Sequence, residues 1–142
     1  MSKNVIVTGS GRGIGLGIAE RLVSDGWNVI VADIDSNNIQ SVLAGSDRSI
    51  RYGFQVDVSS EPSVVSLFDA AEAATGPVTA IVCNAGMLVM NGDRPAIVDI
   101  TLEDWERTHA VNARGTFLCC REFARRRRAL PLPNGRIVTV SS

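Results

Sequence analysis

The sequence has 142 residues, 45% hydrophobic and 20% charged, and a formal net charge of −1 at pH 7. Such a length suits one domain with a sizeable core, and the apolar-to-charged balance excludes a disordered, fibrous or disulfide-framework chain. A near-neutral surface provides no field for nucleic acid or an anionic membrane, so neither partner is expected.

Residues 1–3 lead into an apolar run without the basic flank and cleavage site of a secretory signal, and no run approaches the roughly 20 apolar residues that span a bilayer. Cys83, Cys119 and Cys120 are odd in number and sit in apolar stretches. They read as reduced core thiols, which points to a cytoplasmic protein with no metal site.

In chain order, Asn4 to Thr8 is a short β-branched run that predicts a strand. Helical period follows, with Ile14, Ile18, Leu22 and Val23 on one face and Gly26 placed to end the helix in a left-handed cap. Residues 28–32 form a second strand whose unbroken apolar run implies burial on both faces. A weaker helix covers residues 39–43, and residues 52–58 give a third strand closing at Asp57.

Ser60 is placed to cap the next helix, with Pro62 in its first turn. Val64, Leu67, Phe68 and Ala71 hold that helix to the sheet until Gly76 and Pro77 stop it, and residues 78–83 form the fourth strand. Residues 87–100 lack a period and make the longest loop. One long helix is expected from Thr101 to Arg128, its last turn a solvated arginine run, Arg125 to Arg128, at the negative pole of the helix dipole. Pro131 and Pro133 end it, and residues 136–140 form a fifth strand. Alternating strands and helices predict an α/β fold: a Rossmann-type doubly wound parallel sheet with strand order 3-2-1-4-5.

The loop Gly9, Ser10, Gly11, Arg12, Gly13, Ile14, Gly15 lies between the first strand and first helix. There glycines permit a tight turn, close packing of helix on strand, and approach of backbone amides to a pyrophosphate at the helix N-terminus. Asp33, followed by Ile34, ends the second strand 18 residues after Gly15, near the spacing of a ribose-binding acid. A carboxylate there accepts from both ribose hydroxyls and repels a 2′-phosphate, so the expected cofactor is NAD. Asp35 is a less well-placed competitor, and Arg12 is a hint toward NADP.

These residues resemble the short-chain dehydrogenase/reductase family from first strand to last residue. Thr8, Gly9, Gly13 and Gly15 match its Thr-Gly-x-x-x-Gly-x-Gly pattern; Asp57-Val58 falls where the family sets a carboxylate against the adenine amino group; Asn84-Ala85-Gly86 matches its Asn-Ala-Gly. The resemblance implies hydride transfer between NAD and a secondary alcohol or ketone. It further implies that Asn112 interrupts its helix and holds a water for a proton relay, and that Ser142, with Ser141 as fallback, binds the reacting oxygen. In relatives the long helix pairs with a symmetry mate, which implies a homodimer or homotetramer.

The pattern fails at the family's acid–base pair, a tyrosine with a lysine one helical turn later. Here the only tyrosine is Tyr52 and the only lysine is Lys3. Residues 1–142 therefore read as a dinucleotide-binding domain incomplete at its C-terminus, or alternatively as a catalytically inactive dinucleotide-binding module or fragment. Gly92, Asp93 and Arg94 in the long loop are polar enough for a polyol or sugar.

Overall fold

A computed structural model describes residues 3–45, 49–88 and 96–141. Five strands, β1 (Asn4–Thr8), β2 (Asn28–Asp33), β3 (Tyr52–Gln55), β4 (Ala80–Cys83) and β5 (Arg136–Thr139), form one parallel sheet in the order β3-β2-β1-β4-β5. The chain winds outward from β1 to β3 and then crosses to β4. The carboxyl ends of β1 and β4 thus flank the point where the winding direction reverses, which is where open α/β sheets leave a crevice.

Helices α1 (Gly13–Ser24) and α2 (Ser36–Gly45) cover one face, where Ala19, Ile39 and Val42 pack on Val5, Val7, Val29 and Val31. On the other face α3 (Glu61–Thr75) and α5 (Thr116–Ala129) bring Val64, Leu67, Phe68, Leu118 and Phe123 against Ile6, Ile30 and Ile81. Alternate residues of β1 and β2 feed the two cores, so both strands are buried on both sides, as their unbroken apolar runs require. Gly26 takes φ +79° just beyond α1, the left-handed stop expected there.

Four expectations are corrected. Ile14 does not join the sheet-facing stripe of α1: it is 73% exposed, and buried Gly15 and Ala19 make the closest approach to the sheet. The third strand stops at Gln55 rather than Val58, because Asp57 folds back on itself, its Oδ1 accepting from the Ser59 amide at 2.9 Å and from the Ser59 hydroxyl at 2.6 Å. Ser60 occupies the N-cap of α3, yet its side chain makes no capping bond there.

The long helix is interrupted around Asn112, where the resemblance implies a break. Thr101 caps α4 (Leu102–His109), its hydroxyl accepting from the Asp104 amide at 3.1 Å; a π turn, Ala110–Gly115, then separates α4 from α5.

The arginine run is only half solvated. Arg125 and Arg128 face water, whereas Arg126 lies between α5 and α3, donating to Asp69 at 2.7 Å, Glu72 at 3.0 Å and buried Glu122 at 2.8 Å. Arg127 donates to Glu72 at 2.6 Å. Burial opposes the Arg126 charge, but these carboxylates more than offset it and hold its pKa above the ordinary value. Two planar guanidinium forks can satisfy several acceptors at a helix crossing, which lysine ammonium groups could not do.

Among the described residues β5 forms the sheet edge beside β4, and its Ile137 and Val138 are 44% and 50% exposed. No described helix is long and apolar enough to cross a membrane.

Candidate functional site

The glycine loop leaves β1 through Gly9 at φ +64° and enters α1 through Gly13 at φ +58°, backbone conformations that a side chain would strain. Gly15 is required for another reason: a methyl group there would collide with the Gly9 carbonyl oxygen. The loop is fastened from β4. Asn84 Nδ2 donates to the Thr8 carbonyl at 3.1 Å and the Gly9 carbonyl at 3.0 Å, while the Asn84 and Ala85 amides both donate to Thr8 Oγ1 at 3.1 Å. The two motifs lie 75 residues apart in sequence and form one hydrogen-bonded unit.

Ser10 and Gly11 work behind this unit. Ser10 is fully buried, its hydroxyl donating to the Val7 carbonyl at 2.6 Å and accepting from the Ala32 amide at 3.1 Å. The Gly11 amide donates to Asp33 Oδ2 at 2.8 Å, and the Asp35 amide donates to Oδ1 at 3.1 Å. Asp33 is 8% exposed, and its surface belongs to a crevice of about 840 Å³.

That crevice runs along the carboxyl ends of the strands. Gly9 and residues 12–15 make one wall; Asp33, Ile34 and residues 56–59 form one end, and residues 84–87 with Arg107 and Val111 form the other. Of the expected cofactor residues, Gly9, Arg12, Gly13, Ile14, Gly15, Asp33, Ile34, Asp57, Val58, Asn84, Ala85 and Gly86 line it, while Ser10 and Gly11 do not. Arg107 was missed in the sequence, where nothing marks it; only the position of α4 brings it to the crevice.

The lining fits a dinucleotide on three counts. Its volume lies within the usual range for small-molecule sites. The first turn of α1 carries no acidic residue and no side-chain cap, so its amides are free for an anion. At the far end stands a carboxylate held at both oxygens.

Asn112 occupies the π turn and grips the segment just past Asn84-Ala85-Gly86. Its Oδ1 accepts from the Met87 amide at 2.8 Å and its Nδ2 donates to the Met87 carbonyl at 2.9 Å. Ser142 lies outside the described residues, as do residues 89–95 of the long loop. Tyr52 is half-buried on β3 against the α3-side core, away from the crevice.

Cys83 and Cys119 are buried thiols and Cys120 is half-buried, its sulfur 3.8 Å from that of Cys83. A hydrogen bond with Cys119, reinforced by burial, raises the Cys83 pKa, and burial pushes Cys120 up to about 11. No cluster of metal-ligating side chains occurs among the described residues.

A doubly wound parallel sheet with a glycine loop at its switch point defines a Rossmann-type α/β protein. The chain belongs to the short-chain dehydrogenase/reductase family of oxidoreductases: the family profile described as short chain dehydrogenase matches residues 3–142. It is 34% identical to D-threitol dehydrogenase of Mycolicibacterium smegmatis, over 99% of this chain and 52% of that protein. It is 39% identical to the NADP-dependent (R)-specific alcohol dehydrogenase of Lentilactobacillus kefiri, over 81% of this chain and 44% of that one. The 3-ketoacyl-(acyl-carrier-protein) reductase of Brucella melitensis, solved with NADH, superposes with a TM-score of 0.87 at 27% identity, covering 99% of this chain and 57% of that one. The chain spans about half the length of the curated relatives it matches.

Proposed function

We propose that the protein to which these residues belong is an NAD-dependent oxidoreductase that moves a hydride between the nicotinamide and a secondary alcohol or ketone, and that residues 1–142 hold the cofactor. The observation that carries this reading is Asp33, a nearly buried carboxylate fixed at both oxygens and open to the crevice. In that position it accepts from the two ribose hydroxyls and repels a 2′-phosphate with little screening. A cation, Arg12, does lie in the loop, and the Lentilactobacillus relative is NADP-dependent, but neither removes the charge at residue 33.

In this reading the amides of residues 13–15 receive the pyrophosphate, Asp57 and Val58 flank the adenine, and Asn84, Ala85 and Gly86 carry the nicotinamide half. Asn112 holds the Met87 segment and supports a proton relay, and Ser142 orients the substrate oxygen. When bound, the nicotinamide supplies the hydride chemistry; the chain aligns it. Substrates are small alcohols or ketones, with neither nucleic acid nor membrane as partner, in a cytoplasmic homodimer or homotetramer.

Titration of the full-length protein should show NADH bound about tenfold more tightly than NADPH, or about 1.4 kcal/mol. Equal or tighter NADPH binding would overturn the reading. A second reading, a catalytically inactive dinucleotide-binding module, is favoured by one observation: residues 1–142 hold no tyrosine–lysine pair. Alcohol-dependent reduction of NAD by the full-length protein separates the two, since an inactive module binds NADH and turns nothing over.

A further inference from the structure

We infer that Gly11 is a positioning residue for cofactor choice, acting through Asp33 rather than on the cofactor. The inference rests on the proposed NAD preference and explains how the fold secures it. Gly11 is buried, does not line the crevice, and lies outside the left-handed region, so neither cofactor approach nor backbone conformation requires a glycine here. Space does. A methyl group at residue 11 would lie 2.6 Å from the Asn38 Cβ on α2, 2.8 Å from Asp33 Oδ2 and 3.0 Å from Asp33 Cγ.

Asn38 Cβ is fixed to the helix backbone and cannot swing aside. The Asp33 carboxylate can, by rotating about its side-chain bonds. A side chain at residue 11 therefore acts on both neighbours: the loop or α2 must shift to clear the Asn38 Cβ, and the carboxylate, the one group free to rotate, is turned off the Gly11 amide. The missing side chain also lets that amide reach Oδ2 at 2.8 Å. With Oδ1 held by the Asp35 amide, the carboxylate is fixed before any ribose arrives, and binding costs no reordering of it.

The consequence is specific to one cofactor. NADH and NADPH share the pyrophosphate and nicotinamide, so general damage to the loop weakens both alike. Displacing Asp33 removes acceptors that only NADH uses in full, and it removes the repulsion that only NADPH suffers.

The test is the ratio of NADPH to NADH dissociation constants, measured by fluorescence titration of the full-length protein. Gly11→Ala should weaken NADH binding about tenfold and narrow the ratio by at least as much. On an Asp33→Ala background the same substitution should leave the ratio unchanged. Gly17→Ala, on the exposed face of α1 with open space at its Cβ position, should alter neither constant.

If Gly11→Ala does not fold, adding Asn38→Gly opens the α2 side while leaving the methyl against Asp33, and the narrowed ratio should persist. Equal weakening of both cofactors by Gly11→Ala, with the wild-type preference intact, would overturn the inference alone. A wild-type protein without NADH preference would overturn the NAD reading and the inference with it.

Discussion

Replacing Asn84 with alanine removes both side-chain bonds that join β4 to the glycine loop, those to the Thr8 and Gly9 carbonyls at 3.1 and 3.0 Å. Each such bond contributes about 1 kcal/mol, and an acceptor left dry costs about 1–3 kcal/mol more. Thr8 is 1% exposed, so water cannot readily replace the lost donor there. The Thr8 Oγ1 bonds to the Asn84 and Ala85 amides use the backbone and survive the substitution. The sum is about 3–5 kcal/mol, or a fall in Tm of about 10–15 °C for a domain of this size. Asn84→Asp should be worse than alanine, since an ionised carboxylate would face two carbonyl oxygens. Denaturant unfolding of the full-length protein measures the loss, and NADH titration should show weaker binding because the loop is no longer held. A cost below about 0.5 kcal/mol for alanine, with NADH binding intact, would refute the claim that Asn84 fastens the loop.

Three further outcomes are expected. Gly15→Ala should weaken binding of NADH and NADPH alike, by about a hundredfold, because its methyl group collides with the Gly9 carbonyl; calorimetry that found wild-type affinities would show the loop to be pliable there. Arg126→Met should destabilise the protein by about 3 kcal/mol, since buried Glu122 loses its 2.8 Å partner and keeps only the longer contact to Arg125; an unfolding change below about 1 kcal/mol would mark the cluster as dispensable. Cys120, its thiol pushed up to about 11, should react with a disulfide reagent at pH 8 about a hundredfold more slowly than a thiol of ordinary acidity, and faster as pH rises; mass-resolved labelling at several pH values would detect a fast, pH-independent reaction that contradicts this.

The sheet was legible because its strands are short apolar runs separated by helical periods, and strand order follows from how such units wind. The loop, Asp33 and the Asn84 segment were legible because each sits at a strand end, where geometry constrains residue type. What the sequence hid were contacts set by packing. Gly11 reads in sequence as one more loop glycine, and only the fold sets Asn38 against it. The arginine run reads as solvent-facing by composition, and only the crossing of α3 and α5 shows which two guanidinium groups turn inward. Ile14 fits a helical stripe on paper, but α1 begins at the loop, so its first turn overlooks the crevice instead of the sheet.

The π turn at Ala110–Gly115 amounts to one residue more than an α-helix would use over the same span. Removing a residue there should let α4 and α5 merge into a single regular helix. Each residue turns an α-helix by about 100°, so such a deletion would rotate one half against the other by that angle. If α5 kept Leu118 and Phe123 on the sheet, α4 would swivel, carrying Arg107 off the crevice and parting Asn112 from Met87. The insertion thus sets a phase between two half-helices: one is indexed to the hydrophobic core, the other to the mouth of the site. Sequence alignments that close a gap anywhere within residues 110–115 would erase that phase, although every individual residue type would still look acceptable.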